Sequence, residues 1–492
     1  MEIITSVKPL LAVLVSLAAA VMIVIYKDKP NDREYFTFAA ATLKFLIVLS
    51  MLPAIFDGKK IEFLLVSILP GLSIEFRVDA LGMMFALTAS FLWVLTSFYS
   101  LGYMRSLKEH AQTRYFACFA ITLSATVGAA FAANLFTLFL FYEIITLVTY
   151  PLVAHKETPE AYEGAGKYLW YLIGTSKLLL LPAVILTFVF AGTLNFEAGG
   201  IFPEEIVAQE RTVLKVVFFL FIFGFAKAAV MPFHNWLPSA MVAPTPVSAL
   251  LHAVAVVKVG VFSIVRMIYF IFGPETLQSL DVGIIAAYIA SFTIITSSII
   301  ALTKDNLKAR LAYSTISQLS YIVLGMSMLS MSGMTGGMIH ITNHAFSKIT
   351  LFFCAGAIYV AAHKTKISEL NGIARKMPWT MTAFTIGSMN MIGMPLFAGF
   401  VSKWYLALGA IEAKHISLIV VLIVSSILNA CYFLPIIWAA FFKELPEGET
   451  PEKHEAPMTM VVPLTLTAIG TLFLFFNSSD LLAMARLVLN SG

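Results

Sequence analysis

The chain has 492 residues, of which 59% are hydrophobic and 12% charged, and its formal net charge is +4. With a mean hydropathy of +0.88, this composition excludes an ordinary soluble domain and predicts an integral membrane protein. The small positive charge lies in loops, which excludes a nucleic-acid-binding stripe. The three cysteines are isolated in apolar segments, so the sequence predicts no iron–sulfur, haem or zinc site and no other cofactor.

Fourteen apolar segments meet the requirement of roughly 20 residues for one membrane span. They predict an all-α polytopic membrane protein that forms one domain over residues 1–492. Between the second and third spans, β-branched residues on both sides of Pro70-Gly71 predict a β-hairpin over residues 63–78. Residues 478–490 predict a short surface helix. The predicted spans lie near residues 3–26, 36–56, 80–104, 114–132, 134–154, 165–190, 213–231, 244–272, 281–302, 307–330, 334–362, 379–410, 415–442 and 457–476.

The distribution of Lys and Arg between loops predicts the orientation. Loops that follow odd-numbered spans hold 17 Lys and Arg residues, whereas loops that follow even-numbered spans, together with the neighbouring helix ends, hold six. Because positive loops stay in the cytoplasm, a protein of the cell membrane with both termini outside is expected.

Residues 213–240 carry the first unusual feature, a buried lysine beside a proline. Pro232 has no N–H to donate, so the carbonyl of Ala228 is expected to be free next to Lys227. Such a group survives in a membrane only inside protein or beside a watery cavity. We therefore expect a discontinuous helix at an ion site. The alternative is a kinked, inert helix whose Lys227 reaches the membrane surface, but Lys227 lies too far from the helix ends for that.

Two further charges lie within the neighbouring spans. Glu143 is in the middle of the fifth span, where a carboxylate is expected either to be neutral or to face a cation. Lys177 is in the sixth span. Its alternative is a polar helix interface, because small residues 174–176 precede it.

The eleventh span carries His340, His344 and Lys348 at spacing i, i+4, i+8, which places them on one helical face. Imidazoles exchange protons near neutral pH, so this face predicts a proton relay. A hydrogen-bonded seam between helices is the alternative. Zinc is disfavoured because no carboxylate or cysteine accompanies the pair.

The twelfth span repeats the pairing of a proline with a buried lysine. Pro395 is expected to free the carbonyl of Met391, and Lys403 follows the break. The two breaks are five spans apart, so units of spans 4–8 (residues 114–272) and 9–13 (residues 281–442) have opposite orientations. This arrangement predicts two inverted repeats, each with one broken helix, at spans 7 and 12.

Four runs of sequence resemble the antiporter-like subunits shared by respiratory complex I, Mrp-type Na+/H+ antiporters and energy-converting membrane-bound hydrogenases. The resemblance covers nearly the whole chain, and its end at Gly492 favours the D-type Mrp antiporter subunit or its hydrogenase counterpart. The runs are LFTLFLFYEIITLVTYPLV, FAKAAVMPFHNWLPSAMVAPTPVSALLHAVAVVKVGVF, ARLAYSTISQLSYIVLG and MIGMPLFAGFVSKW.

The resemblance implies which residues carry ions across the membrane centre. Some relatives have glutamate where this chain has Lys403. The family's functional residues match Glu143, Lys227, His252, Lys258, His340, His344 and Lys403 in this sequence.

The implied function is ion translocation with no chemistry on this chain, within an antiporter or a redox complex such as a hydrogenase, sulfur reductase or quinone reductase. The resemblance implies a line of ionisable groups that runs from Glu143 through Lys227, Lys258 and the region of His344 to Lys403. Burial away from water favours the neutral form of a lysine, whereas a nearby carboxylate favours the charged form. If a neighbouring subunit pulls Glu143 away from Lys227, Lys227 is therefore expected to pass its proton to Lys258. Expected partners are a sibling antiporter-like subunit, small Mrp-like subunits and hydrogenase or iron–sulfur modules. The ion is H+, Na+ or both. The alternatives are a non-conducting membrane anchor of a redox complex and a free-standing solute symporter.

Overall fold

The structure is a computed structural model that describes residues 2–448 and 452–490, apart from the side chains of His252 and Ala253. Most of the described chain is helical. The helices are α1 Lys8–Ile25, α2 Pro30–Leu49, α3 Leu52–Phe56, α4 Ala80–Ser106, α5 Gln112–Ala130, α6 Leu135–Val153, α7 Pro159–Thr175, α8 Leu181–Ala191, α9 Glu204–Gln209, α10 Arg211–Gly224, α11 Trp236–Ser239, α12 Thr245–Val247, α13 Val256–Arg266, α14 Pro274–Ser279, α15 Gly283–Leu302, α16 Leu307–Ser327, α17 Met331–Ala362, α18 Pro378–Ile392, α19 Ala398–Glu412, α20 Ile416–Phe442, α21 Met458–Phe476 and α22 Ser478–Leu489.

Within the described residues, ten helices are long and apolar enough to cross a membrane. Two of them are continuous through π-helical turns, Pro159–Ala191 and Thr245–Phe272. The other four predicted spans are also helical, as α5, α10, α16 and the pair α18–α19. The chain is therefore a mostly helical, multi-pass membrane protein.

A small sheet precedes α4. Strands β2 (Lys60–Leu69) and β3 (Leu72–Val78) form the predicted hairpin, and Gly71 takes the positive φ of +78° that the tight turn needs. A third strand, β1 (Ile3–Thr5), adds to β2 in parallel. The prediction of a helix from residue 3 was therefore wrong at its start, because β2 offers the first residues a free edge to pair with.

The centre of the fold consists of two fully enclosed helical segments. Every residue of α17 from Gly333 to Ile358 is buried, and so is the apolar window of Thr245–Phe272. Outer helices expose large apolar side chains, such as Ile427 and Trp438, as a lipid-facing surface does. The polar residues of the enclosed segments are consequently held away from both lipid and bulk water.

One buried ion pair joins the start of α4 to the end of α13. Arg266 donates two hydrogen bonds to Asp79, one of them at 2.8 Å, and its side chain is 2% exposed. Asp79 also caps α4 by accepting from the N–H of Gly82 at 2.8 Å. The guanidinium contacts the rings of Phe196, Phe262 and Phe270.

We expect Asp79→Asn to destabilise the fold by about 3–5 kcal/mol, because it removes the charge but keeps the cap, and so leaves a buried cation unpaired. Thermal unfolding of the detergent-solubilised protein measures the loss. The control is Glu163→Gln, which breaks an exposed pair with Lys167 and should leave the transition unchanged. Equal transitions for the two variants would contradict this role of Asp79.

Candidate functional site

The helix that carries Lys227 is interrupted. α10 ends at Gly224, a 3-10 turn spans Ala226–Ala228, and helix resumes only at Trp236. The indole N–H of Trp236 donates to the carbonyl of Ala226 at 2.9 Å, which satisfies one backbone acceptor inside the break. We expected helix as far as residue 231, and that was wrong by about two turns. Proline shows where a helix cannot continue, whereas the helix here stops before it.

Lys227 lies in this break and is completely buried. Its Nζ donates to the carbonyl oxygen of Tyr142 and lies 3.2 Å from the centre of the Tyr142 ring. The backbone N–H of Lys227 donates to the hydroxyl of Tyr142 at 3.2 Å. Tyr142, which sequence reasoning missed, is thus the residue that holds the lysine.

Glu143 pairs with Lys177 rather than with Lys227, contrary to our expectation. Its Oε2 accepts from Nζ of Lys177 at 2.8 Å, and its Oε1 accepts from the hydroxyl of Ser176. Lys177 lies in a π-helical turn, Ser176–Leu180, a distortion that is frequent at functional sites. Its side chain is 47% exposed on the lateral surface of the isolated chain. A side chain added at Gly174 would meet no atom within 4 Å, which weighs against the tight helix interface considered above.

Lys258 is buried on α13, where its Nζ lies 2.7 Å from Nδ1 of His344. Gly260, two residues later, packs on the interrupted segment, and a Cβ there would lie 2.8 Å from the Cβ of Lys227. The missing side chain therefore lets α13 approach the break closely. The side chain of His252 lies outside the described residues.

The three basic residues of α17 do not share one set of partners. The rings of His340 and His344 stack with centroids 5.8 Å apart. His340 lies between the hydroxyl of Ser402, at 2.8 Å, and Oε1 of Gln318, at 3.1 Å. Lys348 turns instead toward α16, where it donates to Ser314 at 2.9 Å and Leu311 at 3.3 Å.

Lys403 lies beside a second interruption, between α18 and α19. α18 ends at Ile392, and Gly393 adopts a φ of +91°. Nζ of Lys403 donates to the carbonyls of Met391 and Ile392, both at 2.9 Å. The Met391 carbonyl that the position of Pro395 indicated as free is therefore the acceptor for this lysine.

Tyr321 connects the histidines to Lys403. Its buried ring stacks on His340 with centroids 5.6 Å apart, and Nζ of Lys403 lies 5.2 Å from its centre. Sequence reasoning missed Tyr321 and Gln318. The signal was present, because Ser314, Gln318 and Tyr321 follow the spacing i, i+4, i+7 on one face of α16.

Lys44 is another buried lysine that sequence reasoning missed. Its Nζ donates to the carbonyl of Leu123 at 2.9 Å and lies 5.1 Å from the ring of Trp93. Leu123 lies on α5 and Trp93 on α4. We assign Lys44 to packing.

The described site is thus a series of buried and half-buried ionisable groups between two interrupted helices inside a polytopic membrane protein. A family model described as "NADH:quinone oxidoreductase/Mrp antiporter, TM" matches residues 132–429, which include both interruptions. A second, described as "NADH-Ubiquinone oxidoreductase (complex I), chain 5 N-terminus", matches residues 70–116. The chain belongs to the NADH:quinone oxidoreductase/Mrp antiporter family of membrane proteins.

Individual relatives match from end to end. NADH-quinone oxidoreductase subunit N of Desulforudis audaxviator is 31% identical over 490 residues, which cover 95% of this chain and 96% of the relative. A chain of the membrane-bound sulfane sulfur reductase, an archaeal respiratory membrane complex, aligns with a TM-score of 0.87 and 25% identity, over 99% of this chain and 98% of that one. A chain of the Mrp complex from a Dietzia species has the same fold, with a TM-score of 0.85 and 22% identity. The alignment covers 98% of this chain and 96% of that one.

We expect Gly260→Ala to lower the thermal unfolding midpoint, because its methyl group would collide with the backbone of residues 227 and 228. Overpacking of this kind costs about 1–3 kcal/mol. The matched control is Gly174→Ala, where the space is open and the helix should gain up to about 1 kcal/mol. A Gly260→Ala protein as stable as the control would show that α13 does not depend on this close approach.

Proposed function

We propose that this chain is a proton-translocating subunit of a multisubunit membrane complex of the complex I or Mrp type. The observation that carries the proposal is the series of ionisable groups from the buried Lys227 through Lys258, His344 and His340 to the half-buried Lys403. Ionisable side chains are costly inside a bilayer and are retained there for ion pathways. Their contacts of 2.7–3.1 Å with neighbouring polar groups are of hydrogen-bond length.

The pair of Glu143 and Lys177 forms the input end of the proposed path. In the described state Glu143 is engaged by Lys177, and Lys227 uses the neighbouring carbonyl of Tyr142 instead. Glu143 directly follows Tyr142 in α6, so a modest movement of α6 or of the π-helical turn exchanges its lysine partner. We propose that contact between a neighbouring subunit and the exposed Lys177 causes this exchange, and so changes the proton affinity of Lys227.

Lys403 forms the output end. It lies beside a groove of about 490 Å³ that opens on the lateral surface between α19 and α20. Carbonyls at the end of α18 hold its Nζ, and Tyr321 links it to His340. We propose that protons leave through Lys403. This groove also gives the neighbouring subunit a surface next to the last residue of the path.

Several finer features form part of the same proposal. We propose fourteen spans with both termini outside, and inverted repeats over residues 114–272 and 281–442, each with one interrupted helix. The end-to-end matches to the Desulforudis relative and to the sulfane sulfur reductase chain support a short, single-domain type such as the D-type Mrp antiporter subunit or its redox counterpart. We propose H+ as the ion, because lysines and imidazoles carry protons whereas Na+ prefers oxygen ligands.

A non-conducting anchor is the alternative function. Such a protein needs no series of ionisable groups in its enclosed helices. The retention of the buried Lys227, Lys258 and His344, and of the half-buried Lys403, therefore favours translocation.

We expect Lys227→Ala and Glu143→Ala to abolish proton flux by the assembled complex in proteoliposomes without loss of assembly. Each removes a titratable group that no neighbour on α6 or α10 replaces within the described structure. Lys167→Ala, which breaks only an exposed pair with Glu163, is the control and should retain full flux. Wild-type flux in either test variant would refute the roles assigned.

We expect Tyr321→Phe to lower proton flux about tenfold or more, which corresponds to a barrier increase of about 1.4 kcal/mol. The phenylalanine keeps the ring stack on His340 but removes the buried hydroxyl, through which we propose that Tyr321 relays a proton. Tyr269→Phe is the matched control, because it removes a hydroxyl that donates to Leu489 at 2.8 Å, outside the path. If flux is unchanged in Tyr321→Phe but reduced in Tyr321→Leu, the ring of Tyr321 matters only for packing and its hydroxyl does not relay protons.

A further inference from the structure

A second cluster of ionisable residues lies outside the proposed path, where two loops meet. Glu109 and His110 belong to the loop between α4 and α5, and His155 directly follows α6. One ligand atom from each residue lies within 4.8 Å of those of the other two. The cluster brings together two imidazoles and a carboxylate, a donor set that suits zinc.

His155 is the buried member of the cluster. It is 0% exposed, and neither ring nitrogen has a hydrogen-bond partner among the described residues. Its Nε2 lies 3.7 Å from Oε2 of Glu109. A buried polar group without a partner is costly, so a ligand bound to this imidazole would remove that cost.

Two neighbouring rings pack against His155. The His110 ring stacks on it with centroids 4.9 Å apart, and Tyr115 packs against it edge-on at 5.7 Å.

We propose that Glu109, His110 and His155 bind one divalent transition-metal ion of the zinc type. Ligands of tetrahedral zinc lie about 3.3 Å apart when the metal–nitrogen distance is about 2.0–2.1 Å. The exposed His110 and the partly exposed Glu109 close the remaining gap by rotation of their side chains, while His155 stays in place. A fourth position remains for water.

Glu157 and Arg114 complete the surroundings. Oε2 of Glu157 lies 3.9 Å from Nε2 of His110, and its Oε1 accepts from Arg114 at 2.5 Å. Glu109 and Glu157 together bring two negative charges, which the neighbouring Arg114 and Lys156 offset. The bound metal would tie the α4–α5 loop to the end of α6.

Zinc titration of the purified full-length chain, stripped with a chelator, tests the site by calorimetry. We expect one Zn²⁺ per chain with a Kd of about 1 μM or tighter, and a higher unfolding temperature in the presence of Zn²⁺ because the ion binds the folded state. His110→Ala and Glu109→Gln should each weaken binding at least tenfold. Both positions are on loops, so unfolding without metal should match the unsubstituted protein.

The control is His454→Ala, an exposed histidine on another loop, which should bind zinc as the unsubstituted chain does. The substitution of Co²⁺ for zinc should produce a visible absorption band that His110→Ala loses. The proposal would be overturned if no zinc binds at Zn²⁺ concentrations up to about 100 μM. It would also be overturned if zinc binds but neither His110→Ala nor Glu109→Gln weakens the binding. Neither readout depends on ion flux, so the result is independent of the proposed function.

Discussion

Every buried or half-buried lysine inside the helical bundle must find an acceptor there, because lipid supplies none. In the described structure the solutions differ from one lysine to the next. Lys403 uses carbonyls left unpaired at the end of α18, whereas Lys258 uses the ring nitrogen of His344. Lys227 uses a carbonyl of α6, and Lys348 a hydroxyl and a carbonyl of α16. None of these four has a carboxylate as its hydrogen-bonded partner.

This constraint accounts for the interruption beside Lys403. A continuous helix uses most of its own carbonyls, so it has few acceptors to offer an amine inside the bundle. The interruption at Gly393 leaves the carbonyls of Met391 and Ile392 for Lys403. The interruption at residues 225–235 does not serve Lys227 in this way, because Lys227 donates to the Tyr142 carbonyl of the continuous helix α6. The enclosed helix α17 supplies His344 and His340 between the two interruptions.

The sequence predicted the helical segments well because membrane insertion depends on local composition. It also located both interruptions to within two turns, because proline acts on its own helix. It failed on the partner of Glu143, since that pairing depends on a π-helical turn around Lys177. Tyr142 was missed because an aromatic residue in an apolar helix does not stand out from the apolar residues around it.

The sequence alone thus determined that the chain is a polytopic membrane protein, which segments are helical and which charges lie within them. Only the tertiary structure decided which of those charges meet. Lys258 and His344 are 86 residues apart, and His155 lies far along the chain from Glu109 and His110. Contacts of this kind depend on how whole helices pack against one another, which the hydropathy and periodicity of single segments do not encode.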